Sequence, residues 1–148
     1  MARALAQVLA LAEFSVEVWD DRPGMAEKGF FPDSAVCRCG PYPGALEALP
    51  AMTEEDFVVV MTHGHQADFD VLSQVLRTPV RYIGCIGSKG KAAAVRERLS
   101  AAGFTEEDIR RIHSPVGLPI GGKSPGEIAI SVAAQLIACR SGRLEAFQ

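Results

Sequence analysis

The spacing of hydrophobic residues changes from segment to segment, which predicts short strands that alternate with helices. In residues 2–14 the apolar positions recur every three to four residues, as on one face of a helix. Residues 57–61 are apolar throughout, which is typical of a strand covered by helices on both faces. The same reasoning places further short strands at residues 15–19, 35–38 and 81–86.

Four helical segments lie between the predicted strand at 35–38 and the last helix of the chain. Residues 44–49 favour only a weak helix, because prolines crowd the segment, whereas residues 66–77 place Phe69, Leu72 and Leu76 on one face. A third helix follows the turn at 87–90 and ends near Gly103, and residues 105–108 open a short helix with acidic side chains in its first turn. Residues 113–122 are rich in proline and glycine and are predicted to be a loop.

The last helix begins with a sequence signal for a capped N-terminus. Residues 124–127 have the sequence S-x-x-E with a proline at the first helical position, the pattern of a capping box. Its predicted buried stripe consists of Ala129, Val132, Ala133, Leu136 and Ile137.

Strands that alternate with helices indicate an α/β fold with a mostly parallel sheet and helices on both faces, a three-layer sandwich. A chain of 148 residues fits one domain, and we expect that domain to cover residues 1–148. Hydrophobic residues make up 48% of the chain and charged residues 22%, which excludes wholesale disorder.

The net charge and the cysteines limit the classes of binding partner and the cellular compartment that we expect. The net charge of −3 gives no electrostatic basis for binding nucleic acid or anionic lipid. No apolar run is long enough to span a bilayer, so we expect a soluble cytoplasmic protein whose four cysteines stay reduced. The pair Cys37 and Cys39 is a weak metal signal without a second cysteine pair, and a structural role is the simpler interpretation. No metal site is therefore predicted.

Because ligands of open parallel sheets bind beyond the carboxyl ends of the strands, the residues that follow each strand are the candidates for chemistry. Asp20 and Arg22 follow the first strand, where a carboxylate suits ribose hydroxyls and a guanidinium suits a phosphate. The alternative for this pair is a solvated turn.

The strongest polar group follows the strand at 57–61. His63 and His65 are two positions apart, so on an extended chain both imidazoles face the same way, with Thr62 before them and Asp68 shortly after. Such a set could bind a polar ligand, ligate a metal, or act as acid and base. The alternative is structural, with Asp68 capping the next helix and the histidines bonding backbone groups.

The glycine-rich turn after the strand at 81–86 suits a phosphate. Gly84 and Gly87 let a ligand approach the backbone, and Ser88 and Lys89 stand at a helix start, where unpaired N–H groups bind anions. A tight turn with solvated lysines is the alternative. Residues 121–125 also combine glycines with a helix start and could bind an anion for the same reason, but the capping box already accounts for Ser124.

These motifs together resemble the Rossmann-like domain of the XdhC/CoxI family. The segments that carry the resemblance are VVVMTHGH at 58–65 with Asp68, YIGCIGSKGK at 82–91, PVGLPIG at 115–121, SPGEIA at 124–129 and DDRP at 20–23. The resemblance implies an accessory protein for molybdoenzymes of the xanthine dehydrogenase type, which binds the molybdenum cofactor, assists its sulfuration and helps to insert it. We therefore expect a non-enzymatic factor, and no catalytic residue is assigned.

Three departures from the family pattern shape further expectations. The family's separate N-terminal XdhC domain is not found in this sequence, and the chain begins at the predicted helix, where the family has a first strand and a glycine turn. Gly64 stands where the family often has an acidic residue. A missing central strand would leave strand edges without partners, so we expect either direct pairing of the flanking strands or a homo-oligomer.

The residues predicted to bind the cofactor or a related phosphate ligand are Asp20, Arg22, Thr62, His63, His65, Asp68, Gly84, Gly87, Ser88 and Lys89. Two alternatives stay open. One is an NAD(P)-dependent oxidoreductase with His63 or His65 as proton donor, against which the missing glycine turn argues. The other is a remnant that acts only through contacts with another protein.

Overall fold

The structure, a computed structural model, describes residues 1–147 and alternates short parallel strands with helices. The helices are α1 (Ala2–Leu11), α2 (His65–Val75), α3 (Lys89–Ala101), α4 (Glu106–Arg110) and α5 (Pro125–Arg140). The strands are β1 (Glu17–Asp20), β2 (Val36–Cys39), β3 (Phe57–Val60), β4 (Tyr82–Cys85) and β5 (Ile112–His113). Short 3-10 turns occupy Lys28–Phe30, Ala45–Ala48 and Leu144–Phe147.

All strand pairs of the described residues are parallel, which confirms the predicted α/β class. The strands form two sheets, one of order β1-β2 and one of order β3-β4-β5. Within residues 1–147 no ladder joins the two sheets, so direct pairing of the flanking strands, one of the two alternatives, is not formed. Helix α2 returns the chain from β3 to the parallel strand β4, and α3 together with α4 returns it from β4 to β5, as in βαβ units.

The chain divides into two compact units, and each is described by itself. One consists of Met1–Pro41 together with the described residues from Gly117 onward, and the other is Tyr42–Val116. The assignment of residues 1–148 to one domain stays a prediction.

The first unit buries α1 against α5. Leu5 and Leu9 supply the buried face of α1, at the helical spacing that the sequence showed. Small residues of α5 (Ala129 and Ala133) alternate with Val132 and Leu136 on its buried stripe, which lets the two helices approach closely. Ile137, which we expected in that stripe, is instead 39% exposed at its margin.

The second unit has the larger hydrophobic core, built between its sheet and helices α2 and α3. Ile83 in β4 is fully buried, and Val60 closes β3 against the same cluster. The other buried members of this cluster are Leu72, Val75, Leu76, Val80, Cys85, Val95, Leu99 and Ile109. This core fixes the carboxyl ends of β3 and β4, from which the candidate site projects.

Element boundaries differ from the sequence prediction where local signals are weak. The two residues of β5 fall partly in the predicted loop at 113–122, because a two-residue strand shows no periodicity. α1 ends at Leu11 rather than at 14, and Glu13 adopts a left-handed conformation that ends the helix. The capping box of α5 at Ser124 and Glu127 is confirmed, and Thr105 and Asp108 form a second one at α4.

None of the helices within residues 1–147 is long and apolar enough to cross a membrane.

Candidate functional site

Two loops of the unit Tyr42–Val116 meet at one edge of its sheet. β3 and β4 are parallel neighbours, with Val60 opposite Cys85 at their carboxyl ends. The loop after β3 carries Thr62 and His63, and the loop after β4 carries Gly87 and Ser88. The structure thus brings together the two polar segments that the sequence analysis singled out.

Asp68 is the buried centre of this edge. Its side chain is 0% exposed, and its Oδ1 accepts a hydrogen bond from the hydroxyl of Thr62. Its Oδ2 lies 2.7 Å from the Nζ of Lys91, although among the described residues no donor makes a hydrogen bond of good geometry to that atom. The interaction with Lys91 is therefore an ion pair held by charge and proximity. A buried carboxylate needs such a partner, because its desolvation is costly.

Asp68 does not cap α2, contrary to the structural alternative that we considered. The N-cap of α2 is Gly64, with an extended backbone and no side-chain cap, and Asp68 lies four residues into the helical segment. The carboxylate therefore faces Thr62 and Lys91 instead of the helix end.

The side chain of Lys91 ties the first turn of α3 to Asp68 of α2. Lys91 lies in the first turn of α3, and its stem passes over Gly87, where an added Cβ would lie 3.0 Å from the Lys91 Cδ. A side chain at this position would push the Lys91 stem away from Asp68. Gly87 is thus needed for close packing within the site itself, besides any approach of a ligand to its backbone.

Ser88 is the N-cap of α3, and its Oγ accepts a hydrogen bond from the Lys91 N–H at 3.3 Å. The N–H groups of Lys89 and Gly90 belong to the first turn, where a helix offers no internal acceptors. Both residues are exposed, and the space beside Gly90 is open. An anion at this point would meet free N–H groups, the positive end of the helix dipole and the Lys89 ammonium.

Both histidines of the predicted site follow β3, but they do not share one extended segment. His65 is the first residue of α2, so the extended geometry that would align the two imidazoles stops at Gly64. Residues 1–147 contain no group of three or more His, Cys, Asp or Glu side chains placed to hold a metal ion.

Cys85 ends β4 beside the ion pair and is buried, as expected for a small core residue. Burial raises the pKa of its thiol to about 12, and the nearby Asp68 carboxylate adds to the increase while Lys91 opposes it. The neutral thiol is therefore the favoured form at physiological pH, and burial opposes its conversion to the nucleophilic thiolate.

A small cavity lies behind Cys85 and Lys91, with a volume of about 10 Å³. Its mainly apolar lining consists of Leu72, Cys85, Ile86, Lys91, Ala92, Val95, Arg96, Ile112 and Ser114. This volume holds about one water molecule. A ligand of pterin or nucleotide size would lie outside it.

Gly84 has a packing role in the middle of β4. An added Cβ would lie 2.6 Å from the Val116 Cγ2 and 2.9 Å from the Tyr82 Cε1. The ring of Tyr82 also stacks on His113 of β5, with 4.7 Å between the ring centres. The absence of a side chain at Gly84 thus lets these groups pack. A contact between Gly84 and a ligand stays a prediction.

Asp20 and Arg22 belong to the other compact unit and pair with each other. The Nε of Arg22 lies 2.9 Å from the Asp20 Oδ1, and its second terminal nitrogen lies 2.9 Å from Oδ2. Asp20 is the last residue of β1, so the pair is at a strand end, as predicted. Binding of a sugar or phosphate there stays a prediction.

Sequence reasoning chose Lys89, and not Lys91, as the residue that binds phosphate. The pairing of Lys91 with Asp68 joins residues on two different helices, and no local spacing reports such a contact. A weak sequence signal does exist, since a lone acidic residue on the apolar side of a helix generally needs a buried partner.

Comparison with known proteins gives consistent matches over most of the chain. Residues 1–136 match the family described as the XdhC Rossmann domain. The uncharacterized protein YqeB of Escherichia coli is 33% identical over 136 residues, which cover 91% of this chain and 25% of that protein. A probable xanthine dehydrogenase subunit of Bacillus subtilis is 32% identical, over 92% of this chain and 39% of that protein.

A solved structure shows the same fold. The crystal structure of a protein described as a xanthine dehydrogenase from Bacillus halodurans superposes with a TM-score of 0.79 at 33% identity, over 99% of this chain and 41% of that chain. The chain thus spans between a quarter and about two fifths of the length of these relatives. The order of its motifs, its parallel βα units and the match over residues 1–136 together show that the chain belongs to the XdhC Rossmann-domain family.

Proposed function

We propose that this domain serves as an accessory factor for a molybdoenzyme of the xanthine dehydrogenase type and binds the phosphate of the molybdenum cofactor at the edge formed by β3 and β4. Relatives named for xanthine dehydrogenase support the partner class. The observation that supports this binding site is that the first turn of α3 carries two lysines, one of which forms an ion pair with the buried Asp68.

The donor set at this edge fits a phosphate group. The first turn of α3 offers N–H groups, and Lys89 is exposed beside them. The side chain of Lys91 is 23% exposed. Charge-assisted hydrogen bonds of this kind are the strong ones in phosphate recognition. His63 lies in the loop after β3, at the same edge of the sheet, and its imidazole could contact the pterin portion of the cofactor.

In this proposal the cofactor is cargo that the domain holds for another enzyme. Its pterin phosphate would rest on residues 87–90, and its bulk would extend from the sheet edge toward solvent. At this edge burial keeps the Cys85 thiol neutral. Within the described residues, no three or more His, Cys, Asp or Glu side chains are grouped to hold a metal ion. Holding and presenting a ligand is the chemistry that these groups support best.

Calorimetric titration of the purified protein with molybdopterin, NAD and NADP tests the proposal. We expect molybdopterin to bind, and Lys89→Met and His63→Ala each to weaken it about tenfold, since a charge-assisted hydrogen bond contributes about 1.5–3 kcal/mol. Lys123→Met is the matched control, because Lys123 is also exposed and lies next to a helix N-terminus, that of α5.

Other outcomes would overturn the proposal in different ways. Binding of NAD or NADP without molybdopterin would favour the oxidoreductase alternative. Binding of none of the three ligands would favour a role through protein contacts alone. Equal affinity of the wild type and both site variants would place the site elsewhere on the chain.

A further inference from the structure

We infer that Asp68 is a positioning residue, which aims the Lys91 ammonium at an anionic phosphate group bound by the first turn of α3. The inference rests on the proposed function and adds to it the residue that orients the ligand-binding cation. It also makes Lys91, rather than Lys89 alone, a binding residue of this edge.

Two contacts fix the otherwise flexible side chain of Lys91. Its stem lies against Gly87, and its ammonium lies 2.7 Å from the Asp68 Oδ2. A free lysine would lose side-chain entropy on being ordered by a ligand, and here the fold has already ordered it. Lys89, in contrast, is an exposed residue at the start of the same helix.

The burial of Asp68 supports a role beyond stability. The side chain is fully buried, one of its oxygens accepts a hydrogen bond from Thr62, and the other makes only the ion pair among the described residues. Replacing a buried ion pair with apolar residues is often neutral or stabilising, so stability alone does not account for a carboxylate here. A carboxylate that holds an ammonium beside a helix N-terminus does account for it.

A positioning role and a simple field effect predict opposite signs. If Asp68 contributed only its negative charge, neutralising it would strengthen the binding of an anion nearby. If Asp68 positions Lys91, the same change releases the ammonium and weakens the binding. The Asp68→Asn variant therefore separates the two, since it removes the charge and preserves the shape of the side chain.

The experiment measures the affinity for inorganic pyrophosphate by calorimetry in the full chain. We expect Asp68→Asn to weaken binding at least fivefold and Asp70→Asn to change it less than twofold. Asp70 is the matched control because it lies on the same helix and its carboxylate accepts a hydrogen bond from Gln66 instead of facing Lys91.

A double-mutant cycle identifies the route of the effect. If Asp68 acts through Lys91, Asp68→Asn has no further effect on the affinity of the Lys91→Met variant. The double variant also leaves no unpaired buried charge at the site, so it provides a folded reference if the thermal midpoint of Lys91→Met alone falls too low for titration. Thr62→Val provides an independent variant, because it removes the hydrogen bond that orients the Asp68 carboxylate, and we expect it to weaken binding at least twofold.

Unchanged or tighter binding by Asp68→Asn would overturn the inference while leaving the proposed site in place. A further loss caused by Asp68→Asn in the Lys91→Met background would also overturn it, because Asp68 would then act by another route. Failure of the wild type to bind pyrophosphate and molybdopterin would instead overturn the proposed function, and the inference with it.

Discussion

Gly84 shows how one residue can have both a structural and a functional interpretation. The sequence places this glycine in a ligand-binding motif, whereas in the structure Val116 and Tyr82 occupy the space that its side chain would fill. Gly87 differs, because the group that needs its space is Lys91, which belongs to the candidate site. At the scale of one residue, a glycine in a motif predicts that another group packs closely against the backbone, but it does not identify that group.

Replacing Gly84 with alanine should destabilise the protein by about 1–3 kcal/mol, because the new methyl group overpacks a buried strand. Gly90→Ala is the matched control in the same compact unit, since the space beside Gly90 is open and alanine favours a helix by up to about 1 kcal/mol. Urea unfolding of the two variants and the wild type provides the measurement. A Gly84→Ala variant as stable as the wild type would show that the Tyr82 and Val116 side chains can move aside.

At the scale of single elements, the cap of α5 was predictable from the sequence and the shortest strand was not. The α5 capping box depends on residues three positions apart, so its chemistry is local and visible in the chain. β5 is only Ile112–His113, and it forms because Gly84 of β4 lies opposite His113 in a parallel ladder. That partner is 29 positions away in the numbering, so no local pattern reports it.

His113 makes this element sensitive to acid. Burial lowers the pKa of His113 below its usual value of 6.5, so the folded protein favours the neutral imidazole that stacks on Tyr82. The contribution to stability is present above pH 6.5 and is lost as the pH falls, because the unfolded chain then binds the proton first.

We therefore expect the thermal midpoint of the wild type to fall more between pH 7.5 and pH 5.5, about one unit on either side of the ordinary histidine pKa, than that of His113→Phe. Phenylalanine keeps an aromatic ring against Tyr82 and does not titrate. His63→Gln, which removes an imidazole from the loop after β3, is the control for the loss of a histidine as such. Parallel pH profiles for the wild type and His113→Phe would contradict the assignment.

At the scale of the whole chain, the two sheets leave strand edges within residues 1–147. Both strands of the β1-β2 sheet are edges, and so are β3 and β5 in the other sheet. Such edges present unpaired backbone groups that favour pairing with another chain, unless loops or helices cover them. Association is the expectation that follows.

We expect the purified protein to self-associate in a concentration-dependent way, and sedimentation velocity over a wide concentration range measures this. A proline at a position whose N–H faces away from β2, as in Glu17→Pro, should reduce association because it removes an unpaired donor from the free edge of β1, provided that circular dichroism shows a folded chain. A monomer at every concentration would rule out this expectation.

The α/β class, the α5 capping box and the two polar loops were predictable, because each depends on residues close together in the chain. Hydrophobic period, glycine turns and S-x-x-E spacing are local properties, and the carboxyl ends of parallel strands necessarily lie at one edge. The sequence by itself therefore determined where polar chemistry would gather.

The tertiary structure alone decided which polar groups meet and how each is used. The Lys91–Asp68 pair, the neutral thiol of Cys85 and the separation of the strands into two sheets depend on contacts between distant segments. Desolvation and ion pairing are set by what the fold packs around a group, and they vary steeply with distance and burial. The residue types that supply a charge could be identified from the chain, but the direction in which that charge points could not.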